Sequence, residues 1–258
     1  MSRIGIVAWN TFREAVRDRV LYNLVVFALL MIAAALVVGQ ISIGMEGIVI
    51  VSLGLSAISL VGLLMAVFIG VGLVSKEMEK RTLYALLAKP VRRWEFLLGK
   101  FGGLLLTLGI NTAAMAAGLL AAMLLVQHSL KREDLVVFSA VYLILLKLAI
   151  VVAFALLFSC FTTPLLSILF TVSLYLAGMF AQQIRTIGKI SGNSGIDALL
   201  VRISYVLPNF SNFDVTGRAA HRMPVPGALL WQDTLYAVLY CAVVLAGACA
   251  IFSRRNLK

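Results

Sequence analysis

The chain has 258 residues, of which 62% are hydrophobic and 13% are charged, and its formal net charge is +11. Soluble domains average about 45–50% apolar and about 25% charged residues, so a soluble core of this size could not bury the excess. The composition therefore excludes an ordinary soluble protein and indicates an all-α membrane protein. The positive charge indicates membrane topology and anionic head groups, so membrane lipid rather than nucleic acid is the expected partner.

The first 19 residues predict a cytoplasmic helix that lies in the membrane interface. Ala8, Phe12, Val16 and Val20 recur on one helical face, and the charged residues lie mostly off it. A basic amphipathic helix that precedes a span tends to lie at the bilayer surface. A solvated extension of the first span is the alternative. We expect no cleavable signal peptide, because the apolar run that follows is long enough to span and lacks an obvious small-residue cleavage site.

Six apolar stretches are long enough to cross a bilayer, which takes about 20 residues. The expected spans are at about 20–39, 48–74, 101–126, 135–161, 164–182 and 234–252. Fourteen Lys and Arg residues lie on the side that holds both termini, against seven on the other side. The positive-inside rule therefore predicts a multi-pass protein of the inner (plasma) membrane with both termini in the cytoplasm. The six-span domain would cover residues 20–258.

The most informative connection is residues 75–100, between the second and third spans. It is highly charged, yet Leu83, Leu86 and Leu87 recur at helical spacing, and Pro90 is expected to end that helix. A second helix would start near Val91 and continue into the third span. The chemistry leaves two interpretations open: a helix that docks on a cytoplasmic partner, or a surface helix that buries its leucines in lipid.

The segment 184–233 is expected to be the largest external element. Its apolar stripe predicts an amphipathic helix on the outer leaflet, or one that dips back into the membrane, and Pro208 would end it. The stripe consists of Ile196, Leu199, Leu200, Ile203 and Leu207. Residues 209–227 are predicted to form a loop, and Trp231 and Tyr236 to lie in the interfacial aromatic belt.

Few residues could carry chemistry. The sequence has no nucleophile motif, no phosphate-binding loop and no zinc-ligand spacing, so we expect no enzyme, no metal and no cofactor on this chain. Lys147 lies near the middle of the fourth span, where charge is costly, and is a possible intramembrane polar site. Asn111 in the third span is a weaker candidate and is expected to bond a neighbouring helix.

The order of these parts resembles the type-2 ABC exporter permeases, and within them the branch that includes the accessory permease for nitrous oxide reductase maturation. Members carry an acidic residue, a Thr-Leu pair, a Pro-Val pair and a Gly-Lys pair that enters the third span. The corresponding residues here are Glu77 and Glu79, Thr82-Leu83, Pro90-Val91 and Gly99-Lys100. Arg81 replaces the glycine that often precedes the threonine. The opening Asn10–Glu14, followed by Arg17–Arg19, is also similar to that of the family.

This resemblance implies a permease subunit that couples ATP hydrolysis on a separate chain to transport or to force transmission across the membrane. Two permease chains would pair, as a homodimer or a heterodimer, and each would seat on a cytoplasmic ABC ATPase subunit that binds ATP and Mg. A coupling helix around residues 81–89 would transmit closure of the ATPases to the spans. The residues implied to contact the ATPase are Glu77, Glu79, Arg81, Thr82, Leu83, Leu86, Leu87 and Pro90.

Three other function classes account for less of the sequence. A non-transport scaffold would use the same connection to recruit a cytoplasmic protein. A secondary carrier predicts inverted repeats and broken spans with paired charges, whereas the spans hold only Lys147. A membrane-embedded enzyme accounts for least. The uniformly apolar spans fit a lipidic or amphiphilic cargo, or force transmission, without choosing between them.

Overall fold

The computed structural model describes residues 3–42, 44–79, 92–127, 132–190, 202 and 207–254, and these residues form helices and turns without a β-strand. The all-α class is therefore confirmed for the described part of the chain. The α-helices are α1 (Arg3–Val16), α2 (Arg19–Ile41), α3 (Glu46–Glu79), α4 (Arg93–Gln127), α5 (Val136–Ser159), α6 (Pro164–Met179), α7 (Ala181–Ile190), α8 (Thr216–Ala220) and α9 (Gly227–Arg254). Short 3₁₀ helices lie at Arg132–Leu135 and Phe210–Phe213.

Five of the described helices, α2, α3, α4, α5 and α9, are long and apolar enough to cross a bilayer, which makes the chain a multi-pass membrane protein. The helix found at the position of the fifth expected span, 164–182, is shorter than expected. Helix α6 is apolar but has only 16 residues, fewer than the roughly 20 that a bilayer requires. The helix ends at Met179, and α7 begins after the break at Phe180.

Helices α3 and α4 extend far beyond the apolar stretches that predicted them. They contain 34 and 35 residues. At 1.5 Å per residue each is about 50 Å long, whereas the hydrocarbon core of a bilayer is about 30 Å thick. The end of α3 and the start of α4 both lie at the end of the bundle where α1 packs, which we call the α1 end. The opposite end, where α2 turns into α3, is the distal end.

The start of α4 at Arg93 lies close to Val91, where the sequence predicted a second helix after Pro90. The Arg92 backbone N–H donates to Glu95 Oε2 at 2.9 Å, which is one half of a capping box. From Arg93 the helix runs without interruption into the third apolar stretch. The expected second helix of the connection is therefore continuous with the span.

Helix α5 is the centre of the bundle and packs against α3, α4, α6 and α9. Its sequence is apolar on all sides, as expected of a helix surrounded by other helices. Leu143, Leu148, Ile150 and Val152 are completely buried or nearly so. Lys147 is the one charged residue within this helix, and it is buried too.

Helix α6 turns its small and polar side chains inward. Its buried residues are Ser167, Thr171, Tyr175 and Gly178, whereas Leu165 is largely exposed. The Thr171 hydroxyl donates to the Ser167 carbonyl at 2.7 Å, and the Ser167 and Thr162 hydroxyls lie 2.6 Å apart. Because lipid is as apolar as leucine, helices in a membrane associate through close packing and polar contacts rather than through leucine burial.

Helix α1 is shorter than the expected interfacial helix at 1–19. It ends at Val16, and the Asp18 N–H bonds to the Ala15 carbonyl at 3.0 Å as the chain turns into α2. The sequence predicted Val20 on the same helix as Ala8, whereas it lies in α2. Thr11 and Ala15 are buried, while Trp9 is half-exposed.

The stretch at 209–227, which was expected to be a loop, contains two short helices. Residues 207–223, which we call the inserted segment, contain a 3₁₀ helix and α8, and they pack against α3, α5 and α6. Phe210 and Phe213 are completely buried. The expected amphipathic helix that precedes this segment lies outside the described residues, apart from Arg202 and Leu207.

Candidate functional site

Only the two edges of the expected coupling connection belong to the described residues. Glu77 and Glu79 lie in the last turns of α3. The other expected ATPase contacts, Arg81, Thr82, Leu83, Leu86, Leu87 and Pro90, lie outside the described residues. The structure does describe α3 and α4, the helices on either side of this connection, and their contacts with the rest of the bundle.

Helix α1 crosses the first turns of α4 in close backbone contact. A methyl group on Gly103 would lie 2.5 Å from the Ala8 carbonyl oxygen and 2.6 Å from Thr11 Cβ. Such distances are well below van der Waals contact, so a glycine is needed at this crossing. The Thr11 hydroxyl donates to the Val7 carbonyl at 2.9 Å, so no polar group is left unpaired there.

A buried lysine makes a second connection between the same two helices. Lys100, the lysine of the Gly-Lys pair, has a side chain that is only 3% exposed. Its Nζ lies 3.7 Å from Glu14 Oε2 on α1 and 5.7 Å from the centre of the Phe96 ring on α4. The start of α4 therefore contacts α1 through an ion pair as well as through packing.

A small apolar cluster connects the start of α4 to the end of α9. It consists of Phe96, Leu97, Cys160, Ala248 and Phe252. The rings of Phe96 and Phe252 stack with 6.2 Å between their centres. A displacement of the first turns of α4 would therefore move both α1 and the last turns of α9.

Lys147 has partners on two neighbouring helices. Its side chain is 4% exposed, and its Nζ donates to Ser59 Oγ on α3 at 2.7 Å. The same Nζ lies 5.9 Å from the centre of the Tyr175 ring on α6. Lys147 is thus a buried polar centre shared by α3, α5 and α6.

The hydrogen bond of Asn111 differs from the expectation. Its Nδ2 donates to the Thr107 carbonyl at 2.8 Å, one turn earlier in the same helix. The Asn111 amide therefore donates within α4 and not, as expected, to a neighbouring helix. Asn111 contributes to α4 itself and does not join the Lys147 centre through this bond.

Sequence reasoning missed a polar cluster at the distal end. Arg222 Nε lies 3.0 Å from Asp134 Oδ1, and the same guanidinium donates to Gln127 Oε1. An open cavity of about 320 Å³ adjoins them, lined in part by Gly47 and His221. Gln127 and Asp134 lie at the end of α4 and in the connection to α5, whereas Arg222 lies 95 positions after Gln127, so no local spacing relates the arginine to the other two. Together they join the end of α4 and the start of α5 to the inserted segment.

Among the described residues, no group of three or more His, Cys, Asp or Glu could hold a metal ion. The described polar centres instead connect helices to one another.

Comparison with known proteins gives the family. A search of curated proteins finds no match to this chain. The family model described as ABC-2 family transporter protein matches residues 6–257, which is nearly the whole chain. The chain therefore belongs to the ABC-2 transporter family, whose members are membrane-spanning permease components of ABC transporters.

Proposed function

We propose that this chain is the permease subunit of an ABC exporter, and that it couples ATP hydrolysis on a separate cytoplasmic ATPase subunit to transport or to force transmission across the membrane. The observation that best supports this is the pair of long helices, α3 and α4. They flank residues 80–91 and continue without a break through the bundle. ATP and Mg would be bound by the partner subunit.

The proposal includes the finer topology. The six-span arrangement counts α6 as a short span, and both termini and the α1 end face the cytoplasm. Two permease chains pair, as a homodimer or a heterodimer. The narrower resemblance to the nitrous oxide reductase maturation branch belongs to the same proposal, and it rests on the motif from Glu77 to Lys100.

The contacts at the α1 end support a route for coupling. A push on residues 80–91 would act on the start of α4. Gly103 and Lys100 would pass it to α1, which leads into α2, and Phe96 would pass it to α9. Because packed interfaces switch between discrete arrangements rather than deform gradually, such a push is suited to a two-state change.

The test is co-purification with candidate cytoplasmic ATPases, together with measurement of ATP turnover. The decisive variant is Leu83→Asp plus Leu86→Asp, which places two carboxylates on the expected apolar seat. We expect stable co-purification and ATP turnover with the native chain and the loss of both with the variant, because an unpaired buried charge is costly.

The matched control is Met45→Asp plus Met223→Asp, which adds the same charges to exposed apolar side chains at the distal end. This control should leave ATPase binding unchanged. If no ATPase associates, or if the Leu83 and Leu86 variant binds and turns over ATP as the native chain does, the coupling proposal fails and the scaffold or carrier interpretation is preferred.

A further inference from the structure

Helix α1 has three different faces, and one of them is exposed although it is apolar. The first face packs on α4, where Thr11 is buried beside Gly103. On the apolar face, Ile6 and Trp9 are 49% and 51% exposed. The Trp9 ring lies 5.4 Å from the ring of Phe12, centre to centre. These apolar side chains form a surface that no described element of the chain covers.

The third face of α1 is basic. Arg13 and Arg17 are exposed and lie four residues apart, so they project from neighbouring turns on the same side. The Glu14 carboxylate, which lies between them in the sequence, pairs with Lys100 of α4 instead. Neither arginine side chain makes an ion pair or hydrogen bond with another described residue. An open surface cavity of about 340 Å³ lies along Arg13, Arg17, Glu14 and Asn10.

The two arginines lie close to the point where the chain enters the membrane. The apolar span of α2 begins at Leu21, only four residues after Arg17. A helical rise over four residues is about 6 Å, and the head-group layer on each side of a bilayer is about 5–8 Å thick. Arg13 lies one turn further back on α1. Both guanidinium groups are therefore within reach of lipid head groups.

A basic face beside an exposed apolar face fits one kind of ligand, an anionic phospholipid. A guanidinium group donates two parallel hydrogen bonds to phosphate oxygens, and an anionic leaflet attracts nearby arginines. Tryptophan is favoured at the boundary of a membrane, because its ring is apolar and its N–H is polar. A free phosphate ion would use the arginines alone, and an acidic protein surface would leave Ile6 and Trp9 without an apolar partner. A phospholipid supplies both the phosphate and the acyl chains.

We propose that α1 carries a selective binding site for an anionic phospholipid, in which Arg13 and Arg17 bind the head-group phosphate and Trp9 lies against the acyl chains. Because Glu14 is paired with Lys100, the phosphate meets two positive charges. The inference goes beyond the proposed function, since it assigns a lipid ligand to this chain and assumes no ATPase partner.

The test measures the quenching of Trp9 fluorescence by brominated lipids. Trp94 and Trp231, the other two tryptophans of the chain, are replaced by phenylalanine beforehand. The full chain is reconstituted in vesicles of phosphatidylcholine and phosphatidylglycerol in equal amounts, with bromine on the acyl chains of one lipid at a time. Because bromine quenches only a ring that it contacts, the ratio of the two quenching constants gives the preference of this site for the anionic lipid.

We expect both lipids to quench Trp9, with phosphatidylglycerol preferred about tenfold, because each arginine adds to the attraction for an anionic lipid. Arg13→Gln plus Arg17→Gln should remove most of this preference, while phosphatidylcholine still quenches. The matched control is Arg202→Gln plus Arg218→Gln, which removes two charges from exposed arginines outside α1 and should leave the preference unchanged. Inorganic phosphate at constant ionic strength should not reduce the preference, since the free anion has no acyl chain.

Equal quenching of the native chain by the two lipids would overturn the inference, and so would a native preference in the double variant. Absence of quenching by either lipid would show that protein rather than lipid covers this face. Loss of the preference in inorganic phosphate would indicate a site for the free anion instead.

One result of the double variant needs a second measurement. If neither lipid quenches Trp9 in that variant, α1 has left the interface, and the single variants Arg13→Gln and Arg17→Gln decide. A native preference in both single variants would then refute the site. Failure of the ATPase experiment with the Leu83 and Leu86 variant would leave this result unaffected.

Discussion

The two ends of the bundle are built by different means. At the α1 end, helices longer than a bilayer is thick meet through one glycine crossing, one buried lysine and a small apolar cluster. At the distal end, short elements pack beside the short helix α6, and Arg222 and Asp134, which are far apart in the sequence, form an ion pair there. Packing between long helices thus dominates at the α1 end, and contacts between residues far apart in the sequence dominate at the distal end.

The largest expected effect tests whether the inserted segment belongs to the core. Phe210→Ala should lower the free energy of unfolding by about 3–5 kcal/mol, because it leaves a cavity where a fully buried ring stood. Thermal unfolding of the purified chain in detergent measures the loss. Phe161→Ala, at a half-exposed ring in the α5–α6 turn, is the control and should cost far less. Equal losses for the two variants would mean that the segment is a surface loop after all.

The second-largest expected effect, also on the free energy of unfolding, tests the close contact between α1 and α4 at the α1 end. Gly103→Ala should destabilise the chain by about 1–3 kcal/mol, because the added methyl overlaps Ala8 and Thr11. Gly109→Ala in the same helix meets no neighbouring atom and should be neutral or stabilise by up to about 1 kcal/mol. The same unfolding assay compares them. If both glycines accept alanine equally well, α1 is not held against α4 as closely as described.

The smallest expected effect concerns the ion pair between Lys100 and Glu14. Glu14→Gln should cost about 1 kcal/mol or less, because Glu14 is half-exposed and water screens the pair. The difference should shrink as salt is raised. Glu133→Gln, at an exposed carboxylate of the distal end, controls for the loss of one negative charge. A difference between Glu14→Gln and the native chain that does not change with salt would indicate that packing rather than charge ties α1 to α4.

The sequence predicted the α1 end better than the distal end for a physical reason. Long apolar runs have to be helical in a membrane, since every backbone group needs an internal partner, so α2, α3, α4, α5 and α9 cover nearly all of the expected spans, although α3, α4 and α9 extend beyond them. Phe210 and Phe213, by contrast, are only two apolar residues with polar residues between them, which is too short a pattern to predict a buried helix. Their burial comes from tertiary contacts, such as those with Tyr175 and Tyr236.

The candidate functional sites show the same contrast between features that the local sequence predicts and features that only the fold brings about. Lys147 could be singled out because a charge in a span needs partners, but Ser59 lies 88 positions earlier and nothing local points to it. Tyr236 is expected in an interfacial belt, and nothing local in the sequence indicates that its hydroxyl accepts from the Asn209 N–H at 3.0 Å. Arg222 and Asp134 are brought together only by the fold. The expected ATPase contacts from Arg81 to Pro90 stay predictions, since they lie outside the described residues.

The inward face of α6 has a mechanical consequence. The Thr171 hydroxyl donates to the Ser167 carbonyl within α6. The Ser167 hydroxyl is hydrogen-bonded to the Thr162 hydroxyl, in the turn that precedes the helix. The Thr162 hydroxyl also donates to the Phe158 carbonyl of α5 at 2.9 Å. The start of α6 is therefore joined to the end of α5 through polar contacts in the turn, and a displacement of either helix would carry the other with it at this point.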